Sequence, residues 1–346
     1  MGKKMYFLTM IIPAFNCDDC LSDAINSIIN QTIGFENIEL IIVDDCSTDS
    51  TRDVIKYYEK KYSNIKGIFL TKNNGVAGIP RNIGIRNATS KYLMFLDADD
   101  EYDTEACEIF YNKIVETGAD FVFSGWLSVR DDKISKSSHK FLKETKEFTF
   151  HNGENIREWY KYFQRSGMTA GIYNKEFVLI NNINCHEALG EDGYFQLKAL
   201  FNAKKIVFIE YWSYYNKLRD TKEKRSITNI RNEKMFRSRE KSIYYFSDLM
   251  DVYGAPNKQL LLNHEVNLLL WIAYTLPPSI HNKIRKEFFI DLNNLEKKLG
   301  IMKFDGFYAN FLNKFVVKEH YTMAILISRI LGYIFSNYVL INIFRR

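Results

Sequence analysis

The chain has 346 residues, 46% of them hydrophobic and 26% charged, with a formal net charge of +5. That length holds one large domain or two ordinary ones with real cores, and the profile is globular. A pI near 8.7 fits an acidic small-molecule ligand or an anionic membrane surface and gives no reason to expect nucleic acid.

The N-terminal stretch MGKKMYFLTMIIPAFN is a poor signal peptide, because Pro13 and Asn16 interrupt its apolar run. Residues 8–12 read instead as a buried strand. Leu21, Ala24, Ile25, Ile28 and Ile29 recur at helical spacing, with Asp18 or Asp19 placed to cap the helix. Residues 40–43 are continuously apolar, as a doubly covered parallel strand is. Ser47, Thr48, Asp49 and Ser50 supply a helix start for a segment ending near Tyr62. Residues 65–70 read as a third strand, 81–88 as a short helix and 92–96 as a fourth strand. A helix over 104–117 and a fifth strand over 120–127 follow. This βαβ series predicts an α/β fold with a mostly parallel sheet covered on both faces. Residues 128–150 are polar and lysine-rich, as a surface excursion is, and 151–215 return to mixed α/β. From about 230 the patterns are helical, over 233–253, 258–276, 279–299 and 307–345, broken by Pro277-Pro278. Two parts are expected: an α/β domain over 1–228 and a helical region over 229–346.

Five cysteines (Cys17, Cys20, Cys46, Cys107, Cys185) do not make a disulfide framework in a chain this long. Cys17 and Cys20 have CxxC spacing, yet no second pair completes a zinc site, so free thiols in a reducing, cytoplasmic compartment are expected. The C-terminal stretch YTMAILISRILGYIFSNYVLINIFRR could nearly span a bilayer, but Arg329 lies inside it. An interfacial helix on the cytoplasmic membrane face is the first expectation. The alternatives are a packing helix and a contact between copies in a homo-oligomer.

Four polar clusters fall at predicted strand ends, where parallel sheets bind ligands. They are Pro13, Ala14, Phe15 and Asn16 after the first strand, then Asp44 and Asp45 after the second. Asn73, Asn74 and Gly75 follow the third, and Asp97, Ala98, Asp99 and Asp100 the fourth. Any one of these could be an ordinary cap, but four at one sheet edge suggest a site. The density of like charge from Asp97 to Asp103 needs a positive partner, and carboxylates select hard cations such as Mg²⁺ or Mn²⁺. Along a continuing strand Asp97 and Asp99 would face the same way. No GxxxxGK[ST] loop and no GxGxxG after the first strand are present, so the usual glycine grip on phosphate is missing.

The segments IIPAFN, IIVDDCSTDST, NNGVAGIPRNIGI, FLDADD and GEDGYF, in this order, resemble the family 2 glycosyltransferases of the GT-A fold. The resemblance covers roughly residues 6–228. It implies a metal-dependent, inverting transfer of sugar from a nucleotide-diphosphate donor, most simply a UDP-sugar, to a glycan or lipid-linked acceptor in cell-surface polysaccharide synthesis. Pro13, Ala14, Phe15, Asn16 and Asp45 would hold the base, with Asp44 supporting the loop. Asn73, Asn74 and Gly75 would wall the nucleotide, while Arg81 and Asn82 would approach the diphosphate or donor sugar. Asp97, Ala98 and Asp99 match the DxD signature. Asp99 is the first choice for metal ligand, with Asp97 and Asp100 as its companions. Asp192 matches the base that takes the acceptor proton, with Glu191 as the alternative. The plain alternative for Asp192 is an acidic helix start.

The basic residues Arg219, Lys222, Lys224 and Arg225 resemble the family's loop over the diphosphate, with Arg225 chosen for donor binding. The stretch leading into them, Tyr214-Tyr215-Asn216-Lys217-Leu218-Arg219, is longer and more lysine-rich than the family's compact Tyr-Arg pattern, which leaves the phosphate contact open. Trp126, taken as the end of the fifth strand, and His186 are acceptor-side choices, each with plain packing as the alternative. A nucleotidyltransferase-like enzyme using the same acidic cluster, or a non-catalytic assembly protein led by the helical region, are the rival readings.

Overall fold

The computed structural model describes residues 5–130, 133–136, 145–149, 168–217, 232–254, 258–300 and 307–336. Strands and helices alternate from the start: β1 (Leu8–Ala14), α1 (Leu21–Ile29), β2 (Ile38–Asp44), α2 (Thr51–Lys61), β3 (Ile65–Phe69), α3 (Gly78–Asn87) and β4 (Tyr92–Phe95). β1 pairs in parallel with β2 on one side and with β4 on the other, and β3 lies parallel outside β2. The chain walks outward from β1 to β3 and then returns across β1 to β4. That reversal opens a crevice at the carboxyl ends of β1 and β4.

All seven residues of β1 are buried because both faces of the sheet are covered. Leu8, Met10, Ile12 and Ala14 join one core with Leu21, Ala24, Ile25 and Ile28 of α1. Ile11 points the other way, into a second core with Ile41, Leu93, Phe95 and Ile85 of α3. Strand period two thus splits one apolar run between two cores. At Gly84 a Cβ would lie 2.4 Å from Ile11 Cγ2, so α3 rests on β1 with no room for a side chain there.

The next elements are β5 (Glu101–Tyr102), α4 (Ala106–Thr117), β6 (Phe121–Arg130), β7 (Lys133–Lys136) and β8 (Lys146–Thr149). After them come β9 (Gly171–Asn174), α5 (Lys175–Ile180), α6 (Glu191–Asn202) and β10 (Lys205–Lys217). Among the described residues the sheet runs β3-β2-β1-β4-β9-β6-β10-β5, with β7 on β6 and β8 on β10. Several expectations are corrected here. The fourth strand ends at Phe95, so residues 97–100 form a turn and do not continue a strand. The helix expected at 81 begins at Gly78. The fifth strand runs on to Arg130, which puts Trp126 inside it, partly buried against the first core. Part of the lysine-rich excursion is the edge strands β7 and β8, whose alternating polar residues hid them. Neither Asp18 nor Asp19 caps α1, which starts after Cys20 without a side-chain cap. The Asp18 carboxylate instead accepts from the Ser50 amide, tying the loops after β1 and β2 together.

The chain divides into two compact units, Met1–Glu187 with Glu191–Leu218, and Ala188–Gly190 with Arg219–Arg346. The sequence boundary at 228 falls outside the described residues. The second unit holds α7 (Glu233–Val252), α8 (Lys258–Tyr274), α9 (Asn282–Leu299), α10 (Phe307–Val317) and α11 (Tyr321–Ser336). The single helix expected over 307–345 is two, separated at Glu319, whose φ is 58°; residues 337–346 lie outside the described set. Phe236 stacks on Phe288 with ring centroids 3.9 Å apart. The connection after α8 leaves carbonyls without helical partners, and the buried Arg285 meets them, donating to Leu276, Pro277 and Ile280 and to the Ser328 hydroxyl. In α11 the small residues Ala324 and Ser328 face inward, while Met323, Leu326 and Ile330 are exposed. No helix among the described residues is long and apolar enough to cross a membrane.

Candidate active site

The loops after β1 and β2 are laced together at the crevice. Asn16 and Cys46 both adopt left-handed backbone, at φ 47° and 65°; asparagine tolerates this region, cysteine less readily. The Asn16 side-chain oxygen accepts from the Thr48 amide at 2.8 Å, and the Asn16 amide donates to the Ser47 hydroxyl at 3.0 Å. Asp44, fully buried, accepts from Arg52 Nε at 2.6 Å and from the Ser47 amide, so it supports the loop. Asp45, 4% exposed, gathers the third loop: its carboxylate accepts from Asn73 Nδ2, the Asn74 amide and Asn74 Nδ2. Gly75 follows at φ 81°, which only glycine adopts without strain. Pro13 and Ala14 form the buried end of β1 beneath this platform, and Phe15 stands exposed beside it.

The acidic run is sorted by its surroundings. Asp97 is half-exposed and paired with Arg81, Ala98 is buried and Asp99 is exposed. Asp100 is buried and its oxygens are taken: Oδ2 accepts from the Tyr214 hydroxyl at 2.6 Å and from Asn216, and Oδ1 from the Lys217 amide at 2.7 Å. Burial first, then the charges of Asp99 and Asp97, push its carboxyl well above the usual range. Asp100, expected as a companion metal ligand, thus anchors the turn to β10. Glu101 pairs with Lys217, and Asp103 accepts from Tyr211 and Tyr215. Among the described residues no group of three or more His, Cys, Asp or Glu is arranged to hold a metal ion. Asp97, with Oδ1 on Arg81, and the exposed Asp99 stand at the rim; hard-cation chemistry would need such carboxylates together with oxygens from a ligand and water.

Arg81 joins this turn to a distant segment. Its Nη2 donates to Asp97 Oδ1 at 2.6 Å and its Nη1 to Glu191 Oε1 at 2.8 Å, with Arg81 only 4% exposed. Burial disfavours its charge, but Asp97 and Glu191 outweigh that and hold it firmly cationic. Burial raises the Glu191 carboxyl while Arg81 opposes the rise. Asn82 does not reach toward a donor; its amide clasps Cys185, accepting from that residue's N–H at 2.9 Å and donating to its carbonyl at 2.8 Å. At Gly78 a Cβ would lie 2.4 Å from the His186 carbonyl oxygen. His186 itself is buried, its ring 4.9 Å from that of Tyr194, and is not an open wall. Asp192, in the first turn of α6, is exposed. Arg225, with Arg219, Lys222 and Lys224, lies outside the described residues. Sequence reasoning missed Tyr214, which fixes Asp100 from a strand more than a hundred residues away; no local pattern marks such a partner.

Residues 9–177 match the family described as Glycosyl transferase family 2. The chain belongs to glycosyl transferase family 2. This family 2 chain is 30% identical over 235 residues to a poly(ribitol-phosphate) beta-glucosyltransferase of Bacillus spizizenii, covering 67% of this chain and 36% of that protein. It is 28% identical over 213 residues to the poly(ribitol-phosphate) beta-N-acetylglucosaminyltransferase TarS of Staphylococcus aureus, covering 61% of this chain and 35% of that one. The chain thus spans about a third of the length of these two relatives. The crystal structure of S. aureus TarS 1–349 in complex with UDP-GlcNAc matches with a TM-score of 0.60 at 20% identity, over 94% of this chain and 90% of that chain. At that identity the likeness speaks to the fold, which is that of the GT-A glycosyltransferases.

Proposed function

We propose that this chain transfers a sugar from a nucleotide-diphosphate donor, a UDP-sugar, to a hydroxyl of a cell-surface polymer, with inversion at the anomeric carbon. The observation that carries the reading is the Arg81 bridge, which brings the acidic turn after β4 together with the start of α6, 110 residues further along than Arg81. In this reading the turn is the leaving-group end, and the helix start the base end, of a single displacement. Two relatives named for poly(ribitol-phosphate) glycosylation and a fold neighbour bound to UDP-GlcNAc support the donor and acceptor classes.

In this reading the Asp45 carboxylate, with Asn74 and Gly75, receives the base. Asp99 and Asp97 would hold Mg²⁺ or Mn²⁺, which when bound neutralises charge on the diphosphate. Exposed Asp192 takes the proton of the acceptor hydroxyl. The acceptor oxygen bonds to the anomeric carbon, the bond to the diphosphate oxygen breaks, and its electron pair leaves with the nucleoside diphosphate. Glu191, paired with Arg81, is already engaged, which favours Asp192 as the base. The exposed Met323, Leu326 and Ile330 beside Arg329 support peripheral contact of α11 with the cytoplasmic membrane face.

The test is a panel of nucleotide sugars with Mn²⁺ and a ribitol-phosphate or glycan acceptor, reading the released nucleoside diphosphate and the linkage of the product. UDP release that stops on chelation is expected. Release of pyrophosphate would favour a nucleotidyltransferase, and no turnover of any donor would end the transfer reading.

A further inference from the structure

We propose that Arg81 is a positioning residue that fixes the leaving-group end of the site to its base end, with Glu191 as its anchor and not as a second base. The proposal deepens the transfer reading and rests on it. One buried guanidinium spans the two segments, 2.6 Å from Asp97 and 2.8 Å from Glu191. A planar fork can hold two carboxylates at a fixed separation, and a lysine ammonium, a single point on a flexible stem, cannot do so in the same way.

The rest of the α3 start works to the same end. Gly78 lets the backbone approach the His186 carbonyl, and Asn82 clasps Cys185 on both its amide and its carbonyl. Glu191 is the first residue of α6 and Asp192 is the second. Neighbours at a helix start point apart, so holding Glu191 inward turns Asp192 outward. Their burial agrees: Glu191 is buried and Asp192 exposed. In a single displacement the base and the leaving group sit on opposite sides of one carbon. A misplacement of about 1 Å there can lower the rate by on the order of a hundredfold. Arg81 Nε is buried with no hydrogen-bond partner among the described residues.

The experiment uses the full chain with Mn²⁺ and the donor that the panel identifies, in Arg81→Lys, Glu191→Gln and the double variant. Glu191→Gln should lower kcat about tenfold and Arg81→Lys about a hundredfold, with donor KM within about threefold of the parent. The double variant should be no slower than Arg81→Lys alone, because the two residues act as one unit. Independent losses that multiply, a loss confined to KM, or parental kcat in Glu191→Gln would overturn the proposal.

Amide hydrogen exchange gives a readout that needs no turnover. Arg81→Lys should speed exchange in residues 97–100 and 186–193 together, and Glu191→Gln only in the second segment. Faster exchange confined to α3 would refute the bridge even if no sugar donor were turned over. Donor failure alone would count against the transfer reading and not against Arg81. Should Arg81→Lys fail to fold, Glu191→Gln still decides: unchanged exchange over 186–193 would refute the anchor.

Discussion

Each unit buries an arginine, and the two are satisfied in opposite ways. Arg81 of the α/β unit sits between two carboxylates, one in the acidic turn after β4 and one at the start of α6. Arg285 of the helical unit meets carbonyls and a serine hydroxyl, all of them framework. The partners of Arg81 lie at the strand-end crevice, whereas those of Arg285 lie in the break after α8 and on α11. A buried charge therefore says little about function until its partners are known.

The sharpest way to test that contrast is Asp192→Asn. Loss of a general base should lower transfer by about 10²–10⁴-fold while UDP binding, read by calorimetry, stays near the parent value. Near-parental transfer would show that the exposed carboxylate is not the base. Arg285→Ala should instead leave donor binding intact and destabilise the helical unit by about 3–5 kcal/mol, since it uncovers several buried carbonyls. Denaturant unfolding followed by the near-ultraviolet signal of the second unit would measure it; a loss below 1 kcal/mol would mean that the carbonyls find other donors.

A third prediction concerns Glu296, 2% exposed, which accepts from Asn313 at 2.8 Å while its other oxygen has no partner among the described residues. Burial pushes its carboxyl up to about 7, with the Asn313 hydrogen bond opposing the rise. The unfolded chain loses this proton near pH 4.5 and the folded chain near 7, so the folded state holds more protons between them. Stability should fall as pH rises through that window and level off above it, a loss of about 3 kcal/mol from this group. Glu296→Gln should remove most of that slope and stabilise the protein at pH 8 but not at pH 4. An unchanged slope between pH 4.5 and 7 would rule the carboxyl out as its source.

The gentlest test is Met323, Leu326 and Ile330 to serine together. Exposed side chains contribute little to folding, so unfolding should move by about 0.5 kcal/mol or less for each. Co-sedimentation with anionic phosphatidylglycerol vesicles should drop at least about tenfold, because each apolar side chain buried in the interface is worth about 1.5–3 kcal/mol. Parental vesicle binding would show that this face meets something other than lipid.

The first half of the sheet was readable because β1, β2 and β4 carry continuous apolar stretches at 10–12, 40–43 and 92–95 that lead into polar turns, a pattern that doubly covered strands impose. β7 and β8 were not, since edge strands alternate polar residues much as loops do. At the site, sequence order found the strand-end clusters and Glu191 with Asp192. It could not divide the acidic run, because the fate of Asp100 depends on Tyr214, Asn216 and Lys217 arriving from β10. The Asn82 clasp was hidden for the same reason: its partner, Cys185, is about a hundred residues away.

Helix α3 has little freedom to slide. At Gly84 its backbone is pressed against Ile11, and at Gly78 against the His186 carbonyl, with no methyl group's width to spare in either place. It serves the crevice as a fixed ruler. Across the crevice the chain turns at the Asn16 and Cys46 corners, whose left-handed backbones hold them away from their most relaxed shape. Variants that relieve those corners would alter how readily the mouth reshapes while leaving the ruler's markings where they are.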